Sequence, residues 1–314
     1  MYELDHIETL TNEIRDEAQR LGFAACGFAA VRSLEELKPK YEQWIDNGYH
    51  ASMAYMDRNV DKRLDPALLV EGTKTVISLL YNYYTSDQLS QTTYKISRYA
   101  YGTDYHEVIK DKLNALDAFI RSRAENVIQR SFVDSAPVLE RAWAQESGLG
   151  WIGKNTCLIS RRHGSFLFIS EIITSLELSY DEPLKDYCGS CRKCIDACPT
   201  QAIVDGRLID SNKCISYQTI ENRGEIPDQL AGKFSNYVFG CDICQEVCPW
   251  NTKAHHHNEP LFHLRDEIRD LTPEQWQNMK EEDYQRIFRK SAIKRSKFSG
   301  ISRNVAFLRK DNNK

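Results

Sequence analysis

The sequence predicts an α+β protein: an N-terminal α+β domain over residues 1–180, a ferredoxin-like two-cluster domain over 181–255, and a short helical C-terminal segment over 256–314. Three observations lead there. Through the first 180 residues, apolar positions alternate between helical and strand spacings. Eight of the ten cysteines then fall between positions 188 and 248 at ferredoxin-like intervals. Finally, residues 286–314 hold ten Lys or Arg against one acid, Asp311.

At 314 residues the chain exceeds a lone ferredoxin and suits two or three domains, each able to bury a core. Its 41% hydrophobic and 27% charged residues place it among soluble globular proteins. The net charge of −4 conceals an asymmetry, because the last 29 residues carry +9 and the remainder −13. A basic end on an acidic body fits a polyanionic partner; a solvated tail is the alternative. The opening Met1-Tyr-Glu-Leu-Asp-His6 has neither the basic nor the apolar region of a secretory leader. No apolar run approaches the roughly 20 residues of a membrane span, since residues 166–173 are interrupted by Ser170 and Glu171. Clustered cysteines in that setting favour metal over disulfide, and a cytoplasmic location is expected.

Taken in order, Leu4, Ile7, Leu10, Ile14, Ala18 and Leu21 recur at three- and four-residue steps, predicting an amphipathic helix closed by Gly22. Residues 23–29 read as a strand on which Cys26 is a buried small hydrophobe. Ser33-Leu-Glu-Glu36 has capping-box spacing and predicts a second helix reaching towards Asn47-Gly48. Residues 49–63 lack a period, leaving open a loop over a ligand or a plain connection. A strand is expected at 75–83 and a polar loop at 88–93. The run from Ser97 to His106 is dense in aromatic and hydrogen-bonding groups and leads into a helix carrying Val108, Leu113, Leu116, Phe119 and Ile120. Residues 130–137 read as a strand ending in a turn. Asp134 then sits where an acid can be held facing a cleft, or caps the helix that Pro137 begins. Gly148, Gly150 and Gly153 permit close backbone approach, but neither G-x-G-x-x-G nor a Walker loop is present. A further buried strand is expected at 165–173.

The first cysteine run, Cys188-Gly-Ser-Cys191-Arg-Lys-Cys194-Ile-Asp-Ala-Cys198-Pro199, is C-x2-C-x2-C-x3-C-P. That spacing sends three thiolates to one cubane cluster and the fourth to a second. The other run, Cys241-Asp-Ile-Cys244-Gln-Glu-Val-Cys248-Pro249, lacks its first cysteine because position 238 is Val, and Cys214 is the natural substitute. Cys188, Cys191, Cys194 and Cys248 are therefore expected on one 4Fe-4S cluster, and Cys198, Cys214, Cys241 and Cys244 on the other. Two four-thiolate zinc sites would also use eight cysteines, but the C-P spacing favours iron–sulfur. Cys157 lies outside the pattern and reads as a core residue. Nothing is assigned to His255-His256-His257. Thr272-Pro273 opens a helix. Beyond it come two basic amphipathic pieces, 291–297 and 301–308, in which Lys294, Arg295, Lys297 and Arg303 suit phosphate contacts.

Together, the stretches at 97–106, 133–141 and 148–155, the eight cysteines and Ser291-Ala-Ile-Lys-Arg295 resemble the epoxyqueuosine reductase family, cobalamin-dependent iron–sulfur enzymes of queuosine biosynthesis. The matching stretches cover most of residues 50–305. The resemblance implies a cobalamin-binding N-terminal domain, a two-cluster domain and a helical-repeat module that grips transfer RNA. It implies reduction of the epoxide of epoxyqueuosine at the wobble position of tRNA to the alkene of queuosine. Asp134 matches the family's proton donor, and burial beside a corrin would raise its pKa towards that role. Ser97, Tyr105, His106, Asp134, Arg141, Lys154, Asn155, Ser216, Asp242 and Gln245 are the corrin-contact candidates. An external low-potential electron donor and a monomer are expected. The helical repeats stop sooner here than in the family, as in a truncated module, so weaker and strongly salt-dependent RNA binding is expected. Two other classes share parts of this logic. A reductive dehalogenase would also feed a corrin from two clusters, typically behind a twin-arginine signal that is not seen here. A two-cluster electron-transfer protein would use the N-terminal half for docking.

Overall fold

The structure, a computed structural model, describes residues 2–89, 94–204 and 207–312. The spacing of apolar residues makes the first element a helix, α1 (Tyr2–Arg20), which buries Leu10, Ile14 and Ala18 on one side. Strand β1 (Ala25–Ala30) follows, with Cys26 buried and its thiol pushed up to about 12 by desolvation. A second helix, α2 (Lys38–Asp46), is present, but the capping box expected at Ser33 does not form. The Ser33 hydroxyl donates to the Glu35 carboxylate, and a 3-10 turn (Glu35–Leu37) leads in instead. Leu34 dictates this, since it is drawn fully into the core beside Leu64 and Val70.

After α3 (Val60–Leu64) comes β2 (Thr75–Asn82), buried along almost its whole length as a strand covered on both faces should be. The expected polar loop at 88–93 lies partly outside the described residues. Beyond it are β3 (Lys95–Ile96), α4 (Tyr105–Arg123), β4 (Gln129–Phe132), α5 (Glu140–Glu146), the hairpin β5 (Trp151–Ile152) and β6 (Leu158–Ile159), and β7 (Leu167–Thr174). An antiparallel sheet in the order β1-β2-β7-β4 sits at the centre. Residues on opposite faces alternate, so Ile77, Leu79, Phe168 and Ile172 meet α1 and α4, while Val76, Phe132 and Ile173 meet Ala142 and Trp143 of α5. The expected mixture of helices and sheet is what is found.

The cysteine runs carry little regular structure: α6 (Lys193–Asp196), the hairpin β8 (Ile203–Val204) and β9 (Leu208–Ile209), α7 (Ile215–Ile220), β10 (Tyr237–Phe239) and α8 (Ile243–Glu246). β10 pairs in parallel with β3, tying this segment to the first half of the chain. Four helices close the chain: α9 (Asp266–Arg269), α10 (Pro273–Gln277), α11 (Glu281–Phe288) and α12 (Lys297–Asn312). α10 begins as expected, with Thr272 and Gln275 forming a capping box ahead of Pro273. One contiguous core runs from Leu10 to Leu308 and includes both the sheet and the last helices. No helix among the described residues is long and apolar enough to cross a membrane.

Buried amides lock α12 in place. Asn304 Nδ2 donates to Thr219 O and Val238 O, each at 2.9 Å. Replacing Asn304 by Ala leaves both carbonyls without their donor, and should cost about 2–4 kcal/mol of stability in urea unfolding.

Candidate functional site

Asp134 follows the end of β4 in a left-handed backbone conformation, φ 48°, which short polar residues tolerate best. A tight turn there points its side chain out of the sheet. It does not cap a helix, because α5 starts at Glu140 with Leu139 as its N-cap. Its backbone N–H donates to Glu140 Oε1 at 2.6 Å. The Tyr105 hydroxyl donates to Asp134 Oδ2, and His106 Nε2 lies 3.8 Å from the same oxygen. Both partners come from the first turn of α4, whose N-cap is Asp104. Tyr105 is stacked between His106 and Phe168, with ring centroids 4.1 and 4.2 Å away.

The charges in this cluster differ sharply. Burial pushes the Tyr105 phenol well above its ordinary range, and the Asp134 charge adds to that, so Tyr105 acts as a donor. Asp104 is partly buried, which alone would raise it. Hydrogen bonds from His106 and Lys294 outweigh this and hold its carboxyl at about 2. Glu140 moves the other way, raised by burial and then by Asp134, to about 8. Asp134 itself is 60% exposed. The burial expected for it is not provided by the protein alone.

The structure brings the eight cysteines into two neighbourhoods. Cys248 is raised by burial and then by the charges of Cys188, Cys194 and Cys191, and Cys194 by burial and then by Cys188 and Cys191. Cys241 is raised by burial and then by Cys214 and Cys198, while Cys244 is raised first by its contact with Cys157, then by burial, and after these by Cys241 and Cys214. Thiols within each expected set thus feel one another's charge. Among the described residues, no three His, Cys, Asp or Glu side chains converge on a single metal ion, so the sets are neighbouring thiols rather than preformed one-ion sites. Donors already point at some sulfurs. Trp151 Nε1 lies 3.4 Å from Cys188 Sγ, and the Ala202 N–H is 3.3 Å from Cys198 Sγ. Cys157, expected in the core, instead lies against Cys244, and that contact lowers its pKa.

The remaining candidates divide into two groups. Arg141 Nη1 donates to Thr156 O at 2.6 Å, joining α5 to the turn after β5. On that turn, Lys154 Nζ donates to Gly189 O and Cys191 O at 2.7 and 2.9 Å, and Asn155 Nδ2 reaches Cys244 O at 3.5 Å. Ser97 and Asp242 are buried and joined to each other, the Asp242 carboxylate also accepting the Arg98 N–H at 2.8 Å. Gln245 is buried against the Ser165 hydroxyl at 3.0 Å, and Ser216 follows Cys214 on α7. Tyr105 and His106 therefore gather at Asp134, Arg141 ties α5 to residue 156, and Lys154 and Asn155 bond the cysteine loops. The glycine-rich approach is made to the chain itself: a Cβ on Gly150 would lie 2.4 Å from Ile159 O.

Of the basic residues, Lys294 Nζ is 2.9 Å from Asp104 Oδ2, and Arg295 forms a two-pronged pair with Glu221 at 2.8 and 3.0 Å. Arg303 donates to the Gln218, Asn222 and Gly224 carbonyls, which commits it to holding α12. Lys297, at the start of α12, is exposed. Sequence reasoning did not place three groups near Asp134, one of which, Arg295, it assigned to phosphate contact instead. Arg295 and the half-exposed Tyr55 feel its charge, and Glu140 binds its backbone. The Asp134-Ser-Ala-Pro turn followed by Glu140 was a legible signal for the last.

Comparison with known proteins agrees with this layout. The family described as "4Fe-4S double cluster binding domain" matches residues 187–251, and "Epoxyqueuosine reductase QueG, DUF1730" matches residues 63–135. An epoxyqueuosine reductase from Cellulophaga algicola is 51% identical over 94% of this chain and 97% of its own length. A crystal structure of epoxyqueuosine reductase with a tRNA-Tyr epoxyqueuosine-modified stem loop superimposes with a TM-score of 0.89 at 28% identity, over 96% of this chain and 80% of that one. The Bacillus subtilis enzyme, with its Asp134 catalytic loop swung out of the active site, gives 0.88 at 28%, over 96% and 81%. With an acid presented beside two cysteine sets and a relative this similar along nearly its whole length, the chain belongs to the epoxyqueuosine reductase family.

Proposed function

We infer that this oxidoreductase reduces the epoxide of epoxyqueuosine, at the wobble position of tRNA, to the alkene of queuosine. One observation carries the reading: an exposed acid, Asp134, is hydrogen-bonded by Tyr105 and joined through α5 and residues 154–156 to the loops of both cysteine sets. The stem-loop complex of a structural relative supports tRNA as the substrate.

Residues 1–180 bind a corrin, 181–255 carry two 4Fe-4S clusters, and 256–314 contribute to RNA contact. Cys188, Cys191, Cys194 and Cys248 would hold one cluster, and Cys198, Cys214, Cys241 and Cys244 the other, with residues 154–155 bonded to a loop of each set. Polar atoms of Tyr105, His106, Asp134 and Arg141 on an open face fit an amide-rimmed macrocycle; Ser97, Lys154, Asn155, Ser216, Asp242 and Gln245 would border it on the cluster side. When bound, cobalamin supplies the low-valent cobalt chemistry that no side chain can. Electrons come from an external low-potential donor. Asp134 gives a proton to the departing oxygen, and Tyr105 fixes its carboxyl. Corrin and nucleoside together would shield the exposed Asp134 from bulk water.

Four measurements test this reading. Reduced, anaerobic protein loaded with clusters and cobalamin should convert epoxyqueuosine in tRNA to queuosine, read by mass spectrometry of the nucleosides; no product defeats the reading. Asp134→Asn should keep both clusters and the corrin spectrum yet lose turnover by about 100-fold or more. Cys214→Ala should keep only the cluster of the other set, halving the iron content, approximately. RNA affinity should fall steeply with salt, and Lys297→Gln should lower the slope of log K against log salt by about one.

A further inference from the structure

Turning an epoxide into an alkene breaks two C–O bonds and releases the oxygen as water, which takes two electrons and two protons. The electrons are supplied by the clusters and corrin of the reading above, on which this inference rests. In that reading Asp134 delivers one of the protons. The second has to reach the same place within the turnover.

Behind Asp134 lies a carboxylate with no assigned task. Glu171 is in the middle of β7, with Ser78 of β2 and Phe132 of β4 opposite it. It is fully buried, and neither carboxylate oxygen has a hydrogen-bond partner among the described residues. An unpaired buried carboxylate costs several kcal/mol and is avoided by carrying the proton. Burial raises its pKa well above the ordinary value, and the charges of Glu140 and Asp134 raise it further, placing the three acids in mutual range. Residue parity puts Glu171 on the sheet face covered by α5, the helix that begins at Glu140. The Trp143 indole N–H on α5 is also buried and unpartnered, as expected where an ordered water joins orphaned polar groups. Glu140 in turn accepts the Asp134 N–H.

We propose that Glu140 and Glu171 extend the site inward from Asp134 as a proton path, so that the acid used on the departing oxygen is recharged from inside the fold in the same turnover. Glu171 stores the proton, Glu140 hands it on while positioning the Asp134 backbone, and after product release Glu171 takes a proton back from solvent by the same route, through the exposed Asp134 and Glu140. The other groups facing these acids are few. Arg141 on α5 opposes the rise of Glu140. Tyr105 and His106 of α4 face Asp134, as do Tyr55 and Arg295. Arg130 of β4 lies over the Phe132 ring. Neither Gly27 of β1 nor Ser78 of β2, the residues in register with Glu171, titrates.

Glu171→Gln and Glu140→Gln test this in the fully loaded enzyme, each amide keeping an acceptor oxygen but no transferable proton. The first readout is independent of activity. Glu171 binds a proton on folding, so the parent should lose stability as pH rises above the ordinary carboxyl value of 4.5, and Glu171→Gln should make that slope shallower, leaving the share of Glu140. The second is turnover. Each variant should lower kcat about tenfold, with a changed pH profile and a larger solvent isotope effect, while KM for the RNA and the cluster and corrin content stay the same. Equal pH slopes of stability in parent and Glu171→Gln, or superimposable kcat–pH profiles, overturn the proposal. If Glu171→Gln does not fold, Glu140→Gln at the helix start decides by the same profile. A parent that makes no queuosine defeats the functional reading; an active parent with unaffected variants defeats the proton path alone.

Discussion

The buried carboxylate of Asp242 is the interaction on which the rest of the arrangement depends. It sits between Cys241 and Cys244, in a loop with almost no regular structure of its own, and it accepts the Ser97 hydroxyl and the Arg98 N–H. Desolvation raises its pKa; those hydrogen bonds and the Arg98 guanidinium act in the opposite direction. A loop that must present thiols cannot use its backbone ladder for stability, so it borrows rigidity from β3 and the turn that follows. Asn251 does the same next door, its side chain joining Ser165 to the Gln245 carbonyl. Replacing such partners leaves charged or polar groups stranded, which costs more than the bond itself contributes.

How much of this was legible follows from the range over which each signal acts. Cysteine spacing is local chemistry, and the double-cluster domain it points to is matched over residues 187–251. Helical and strand periods located α1, α4, β2 and β7 for the same reason. The capping box at Ser33 failed because a tertiary demand, the burial of Leu34, outweighed one local hydrogen bond. Lys154 and Asn155 looked like free donors, yet they reach the cysteine loops 35 to 89 residues away. Counting charges in the tail had the same weakness. Lys294 and Arg295 are paired with Asp104 and Glu221, acids that lie far off in sequence. Glu171 interrupted an apolar run and was read only as an argument against a membrane span.

Acidity in the site is set by position more than by residue type. Asp104, Asp134, Glu140 and Glu171 are all carboxylates. Asp104 is held at about 2 by two cationic or hydrogen-bonding neighbours, while Glu140 is pushed upward by burial and by Asp134, and Glu171 by burial and then by Glu140 and Asp134. Environments that drive like groups apart are what acid–base chemistry requires. The exposed aspartate between them is the group that a ligand can tune.

The single core from Leu10 to Leu308 has a consequence for biogenesis. β3 finds its partner in β10 more than 130 residues later, and α12 completes the packing around Phe234 through Phe307. Such distant pairings are slow to form, because a long loop must close before they are rewarded. On the ribosome, the strand edge at residues 95–96 and the apolar bed for α12 wait uncovered until nearly the whole chain has emerged. Iron–sulfur assembly and helper proteins therefore meet this polypeptide while its two ends are still apart.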